Sequence, residues 1–210
     1  MNARSPILTV VKLGGSYAYS SALSAWLAAI ARAAGRVVIV PGGGPFADAV
    51  RSAQPKMGFD AAAAHHMALM AMDQFGRALI GLNACLKTAA TVTAIRQALR
   101  AGKVPVWSPT RMVTGAKDVP CSWDVTADSL AAWLAHRIGA QRLLLVKHVD
   151  PADNSVSAQA LAADGIVDQA FIAFLRESGV EASIAGPGQH AQAARALPAG
   201  AMVGSRIDLR

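Results

Sequence analysis

Hydrophobic residues in this chain gather in short unbroken runs, each closed by glycine, proline or a polar residue. Ile7 to Leu13 is a β-branched run ending at Gly14-Gly15, and Arg36 to Val40 is a second, stopped by Pro41 and three glycines. Arg142 to Val149 is the most hydrophobic of them, Val104 to Trp107 and Val180 to Ala185 are two more, and residues near Met202 add a last short one. Unbroken runs of this length predict strands buried on both faces. Between them the apolar period changes to that of a helix. Leu23, Trp26, Leu27 and Ile30 fall at helical spacing, with Ser20 or Ser21 to cap them and Gly35 to end them. Pro45 suits the first turn of a helix, and Asp60 is placed to cap a long one reaching about Asn83. Thr91 to Arg100, closed by Gly102, is another. Thr126 is placed to cap one that runs to Ile138, with Gly139 beyond it. Val167 to Ser178 and the stretch after Gly188 also read as helices. Strands alternating with helices in this way predict an α/β fold, a three-layer α/β/α sandwich on a mainly parallel central sheet.

Length and composition narrow this picture only a little. A chain of 210 residues holds one sizeable core, so a single domain is expected over 1–210. The formal charge of +7 raises the question of nucleic acid, but the basic residues are scattered singly and are not interleaved with aromatics. Small phosphorylated ligands fit that charge better, and no nucleic-acid partner is expected. Cys85 and Cys121 have neither metal nor redox spacing, which fits a reducing cytoplasm. No secretory leader and no membrane-length apolar run is legible.

The candidate chemistry lies where the first two strands end. In an open parallel sheet, ligands collect beyond the carboxyl ends of the strands. Gly14 and Gly15 let the backbone approach a ligand, Ser16 follows them, and Lys12 adds a mobile positive charge. Gly42, Gly43 and Gly44 lead into a helix N-terminus, a natural phosphate site. Each cluster alone is also an ordinary tight turn; the pair at one sheet edge is the stronger signal. Gly42, Gly44 and Ala47 also satisfy a dinucleotide spacing, but the acidic residue at the right distance, Asp60, opens a helix instead of ending a strand. The P-loop pattern is absent.

Lys12-Leu13-Gly14-Gly15-Ser16 resembles the opening motif of the amino-acid kinase (carbamate kinase-like) family, and Val40 to Pro45 resembles its second glycine loop. The segment 123–128, Val146 to Asp150, and Gly186 with Gly204-Ser205-Arg206-Ile207 resemble further family segments in the same order along the chain. Around His65-His66-Met67-Ala68, Met72-Asp73-Gln74 and Ser122 to Thr126 the sequence is similar to the branch that includes aminomethylfuran-phosphate kinases of methanofuran biosynthesis. The resemblance implies the amino-acid-kinase fold and ATP-dependent phosphoryl transfer to a small acceptor, such as aminomethylfuran methyl phosphate. Mg²⁺ would be carried by ATP with no direct protein ligand. The acceptor would bind in the part before about residue 140 and the nucleotide in the part after it, with the polar loop Asp150 to Ser157 as the divide between them. A homodimer or larger ring is also implied.

On that reading Lys12, Asp128 and Lys147 are catalytic, with Asp128 the organiser. Gly14, Gly15, Ser16, Asp150, Gly186 and Ser205 hold nucleotide, while Gly42, Gly43, Gly44, His65, Asp124 and Thr126 hold acceptor. Asp73 and Arg77, four apart, read as a helix pair. Three positions depart from the family pattern. Asp168 stands where a second catalytic lysine is common, Pro151 follows Asp150, and Ala185 precedes Gly186. Either Lys147 supplies the missing charge, or the chemistry is slower or different; the rival reading is a non-catalytic nucleotide- or oxyanion-binding protein on the same fold.

Overall fold

The apolar runs become the centre of one sheet. The computed structural model describes residues 7–149 and 154–209. The strands are β1 (Thr9–Leu13), β2 (Val37–Pro41), β3 (Leu86–Ala89), β4 (Val104–Trp107), β5 (Arg142–Val146), β6 (Ser155–Ser157), β7 (Glu181–Ala185) and β8 (Ser205–Asp208). They order as β3-β4-β2-β1-β5-β7-β8-β6, all neighbours parallel except β7 and β8. β1 is central: Thr9 pairs with Val37 on one side and with Arg142 on the other.

Alternate residues of the central strands feed two cores, as the two-residue period of a strand requires. Val10, Val38, Leu143 and Leu145 face one layer, which includes α6 (Ala127–Ile138) and α8 (Phe171–Ser178). Val11, Leu13, Ile39, Leu144 and Val146 face the other, with α1 (Leu23–Ala31) and α9 (His190–Ala196). Two further helices, α2 (Gly44–Met57) and α3 (Ala61–Leu82), form a hairpin at the carboxyl ends of β1 and β2. Asp60 caps α3 by accepting from the Ala63 N–H at 2.7 Å, and Thr91 caps α4 (Val92–Arg100) in the same way at 3.1 Å. Gly139 ends α6 in the left-handed conformation at φ 72°.

Several elements differ from the sequence reading. β3 has no apolar run: Lys87 and Thr88 are exposed on an edge strand, so only its two ends are buried. Two short helices, α5 (Thr110–Val113) and α7 (Ala158–Ala163), are too brief to show a period. α8 starts at Phe171, not near Val167, because Asp168 is engaged elsewhere. β5 ends at Val146, which leaves Lys147 just beyond the strand. Thr126 sits at the N-cap position of α6 but its hydroxyl caps nothing there.

Ile39 is fully buried in β2 between Val11 and Val106. Ile39→Ala is expected to lower unfolding free energy by about 2–5 kcal/mol, read from urea denaturation.

Candidate active site

Three polar side chains meet beneath the carboxyl end of β1. Lys12 is the penultimate residue of β1, and its side chain runs into the α6 layer with only 5% of the residue exposed. Asp128 is the second residue of α6, where the positive end of the helix dipole favours a carboxylate. Asp128 Oδ1 meets Lys12 Nζ at 3.0 Å in an ion pair. Asp128 Oδ2 accepts from Lys147 Nζ at 2.6 Å. One buried carboxylate thus holds two ammonium groups.

Each partner is held by its own neighbours. The Lys147 N–H donates to the Ala185 carbonyl at 2.9 Å, extending the β5–β7 ladder by one residue. Its carbonyl accepts from the Tyr17 hydroxyl at 2.9 Å, and its Nζ also donates to the Ile166 carbonyl. Tyr17 belongs to the 3₁₀ turn 15–19 that follows the first glycine pair.

The electrostatics follow from burial. Burial lowers the Lys12 pKa to about 8, with Asp128 opposing the shift and Lys147 adding to it. Burial pushes the Asp128 carboxyl up, but the charges of Lys12 and Lys147 and their hydrogen bonds outweigh it and leave it below the ordinary carboxylate value. Burial and the nearby Asp128 charge raise the Asp168 carboxyl, and its hydrogen bonds to Ser129 and Thr126 only partly offset this.

The two glycine loops touch through their backbones. A Cβ on Gly15 would lie 2.2 Å from the Gly44 nitrogen, and one on Gly42 would lie 2.4 Å from the Gly15 nitrogen. No side chain fits between them. The Gly14 N–H donates to Val146 and that of Gly42 to Leu13, so both are committed to the sheet. The N–H groups at the starts of the 3₁₀ turn and of α2 have no intrahelical carbonyl to bond, and such groups can face an anion.

Lys12, Lys147 and both loops line a cavity of about 310 Å³. Gly14, Gly15, Ser16, Gly42, Gly43, Gly44, His65 and Thr126 are all on its wall. Ala47, Ala68, Leu69, Met72 and Leu130 make its body apolar. At the far end Trp123 donates through Nε1 to Gln54 at 2.7 Å, and the Arg51 guanidinium lies 4.5 Å from the Trp123 ring centroid. His65 is buried at the wall, and burial lowers its pKa despite a hydrogen bond with the Ser122 backbone. His66 points away and shares a 3.2 Å hydrogen bond with Thr114, as the 100° step between adjacent helical residues requires.

Other expected site residues lie elsewhere. Asp124 is exposed and off the cavity wall, with its carboxylate accepting from the Ser122 hydroxyl and its carbonyl from the Ala170 N–H. Gly186 ends β7 along the same sheet edge, and Ser205 faces Ile184 in β8; neither lines the cavity. Asp150 lies outside the described residues. Asp73 and Arg77 form no ion pair with each other among the described residues. Asp60 caps α3 and ends no strand, which removes the acidic partner a dinucleotide fingerprint needs. Tyr17, Arg51 and Gln54 were not anticipated. Arg51 had a signal: it lies seven residues after Gly44, a spacing that returns to the same helix face.

A model of the amino acid kinase family matches residues 8–151. The [5-(aminomethyl)furan-3-yl]methyl phosphate kinase of Methanocaldococcus jannaschii is 25% identical over 145 residues. That match covers 67% of this chain and 66%, just under two thirds, of the relative's length. Among solved structures, the uridylate kinase of Archaeoglobus fulgidus superposes with a TM-score of 0.73 at 21% identity, over 96% of this chain and 100% of that one. The UMP kinase of Bacillus anthracis superposes with a TM-score of 0.71 at 16% identity, over 97% and 96% respectively.

Gly15→Ala is expected to force the two glycine loops apart. Calorimetry should find Mg·ATP binding weakened at least about tenfold, and urea denaturation a loss of about 1–3 kcal/mol.

Proposed function

Because this chain belongs to the amino acid kinase family, we propose that it transfers the γ-phosphoryl group of ATP to a small phosphate monoester, giving ADP and a diphosphate. The observation that carries this reading is the buried Asp128 carboxylate bridging Lys12 and Lys147 beside the glycine loops. In phosphoryl transfer the protein has little covalent chemistry to do; it aligns donor with acceptor and neutralises charge on the group in flight. An acceptor phosphate oxygen attacks the γ-phosphorus as the bond to the β–γ bridging oxygen breaks, and that oxygen leaves with ADP. Lys12 and Lys147 stabilise the equatorial oxygens between the two, held in register by Asp128. The N–H groups at the starts of the 3₁₀ turn and of α2 orient the phosphates.

Among the described residues no group of three or more His, Cys, Asp or Glu could hold a metal. Mg²⁺ would enter on the nucleotide, where it would supply charge neutralisation across the phosphates. We assign the acceptor to the side walled by α2, α3 and Trp123, and the nucleotide to the side of β5 and β7 beyond Lys147.

The wall favours a compact acceptor over a nucleotide. Its body is aliphatic, and among the described residues no carboxamide lines it to read a base edge. A small ring with a polar substituent suits Trp123, Arg51 and Asp48 at that end, which supports an aminomethylfuran methyl phosphate as acceptor. The same reading supports catalysis over storage, because Lys147 restores the cation that Asp168 does not provide.

Lys12→Ala and Lys147→Ala are each expected to lower kcat about a hundred- to thousand-fold. Equal turnover in wild type and either variant, in coupled assays with furfuryl phosphates, would sink the mechanism. UMP is expected to be a poor acceptor in the same assay. Lys12 is protonated below about 8 and loses its charge as pH rises through that value. Turnover should therefore fall on the alkaline side with a midpoint near about 8. Lys12→Arg, whose guanidinium keeps its proton, should lack that limb.

A further inference from the structure

Asp168 belongs to none of the groups that face the cavity, yet it makes four hydrogen bonds to a single turn of helix. Its Oδ2 accepts from the Thr126 N–H at 2.9 Å, the Thr126 hydroxyl at 2.8 Å and the Ser129 N–H at 3.1 Å. Its Oδ1 accepts from the Ser129 hydroxyl. Thr126 is the N-cap of α6 and Ser129 its third residue, and Asp128 lies between them. An N-cap side chain normally accepts from the N–H of the second or third helical residue. Here the Thr126 hydroxyl turns outward as a donor, and a carboxylate from a distant segment does the capping.

The same segment touches the other half of the ion pair. Two residues before Asp168, the Ile166 carbonyl accepts from Lys147 Nζ. Just after it, the Ala170 N–H donates to the Asp124 carbonyl at 3.0 Å, tying down the approach to α6. Segment 166–170 therefore holds the lysine at one point and the helix turn bearing the aspartate at another.

We propose that Asp168 is a positioning residue: by capping α6 from across the molecule it fixes Asp128, and through Asp128 it sets where Lys12 and Lys147 stand. The proposal rests on the phosphoryl-transfer reading of the site. It also gives the departure from the family pattern a physical sense. The charge at this corner sits on Lys147, after β5, and position 168 carries the anchor for the group that holds it. Two cations and two carboxylates then share the corner, and neither lysine's charge is left without a nearby counter-charge.

The alternative is that Asp168 stabilises the fold and does nothing more. The capping carboxylate would then cost stability on removal and leave the lysines unmoved. The two are separated by a readout on the lysines themselves, with lysine ε-carbons labelled with ¹³C and followed by NMR as pH is raised. In the wild type the Lys12 signal should titrate near about 8. Asp128 is what raises the Lys12 pKa against burial and Lys147, so an Asp128 that swings away should move this midpoint to lower pH. That downward shift is expected in Asp168→Ala, with a smaller one in Asp168→Asn, which keeps one accepting oxygen. In parallel kcat should fall about ten- to hundredfold in Asp168→Ala, with KM for Mg·ATP changed by no more than about threefold.

Should Asp168→Ala not fold, Ser129→Ala removes only the contact to Oδ1 and should show the same shifts on a smaller scale. A Lys12 midpoint and a kcat both unchanged, with only the melting temperature lowered, would overturn the proposal. If the wild type transfers no phosphoryl group to any acceptor, the catalytic reading fails on its own, and the lysine titration still decides whether Asp168 positions Asp128.

Discussion

The arrangement of this molecule turns on one carboxylate. Asp128 is buried, and a buried charge is costly unless it is paired. Its two partners come from different strands, Lys12 from the end of β1 and Lys147 from just beyond β5. Those strands are neighbours in the sheet, and α6 lies over them on one face. Shifting either strand by one residue would turn its lysine to the opposite face and strand the carboxylate in apolar surroundings. Register, helix placement and charge are thus a single constraint, and most of the surrounding packing serves to satisfy it.

The glycine loops add a second constraint of a different kind. At Gly15 and Gly42 two stretches of main chain come so close that no side chain can stand between them. The N–H groups that remain available are fixed in direction by the start of the 3₁₀ turn and by α2. Rigid donors at this spot give the cavity a polar end, and its apolar walls and the Trp123–Arg51 pair close the other.

Much of this is legible in the sequence. The unbroken runs at Ile7 to Leu13, Arg36 to Val40 and Arg142 to Val149 carry the sheet, because parallel strands covered on both faces have no polar side to show. Lys12 stood out as a charge at the end of such a run, and the paired glycine clusters located the edge where ligands collect. What stayed hidden depended on partners far away in the chain. β3 carries Lys87 and Thr88 outward on an edge and leaves no hydrophobic run to read. Asp168 could be seen as a departure from a pattern, but its four bonds to Thr126 and Ser129 have no local sequence signature. Trp123 and Gln54 sit on different elements, and nothing in the spacing announces their contact.

The central position of β1 has a consequence for how the chain is made. One of its two edges finds its partner only when Arg142 to Val146, far behind it in the chain, has emerged. Until then an apolar strand with open hydrogen-bonding groups must wait beside β2, and the pairing that completes it spans much of the sequence. Long-range parallel pairing of this kind is slow to form and leaves edges exposed to neighbours meanwhile. Lys12 shares that wait, since Asp128 and Lys147 both follow it by a long stretch of chain. A chain ended before Asp128 therefore carries the glycine loops and Lys12, but neither the carboxylate that pairs with Lys12 nor Lys147.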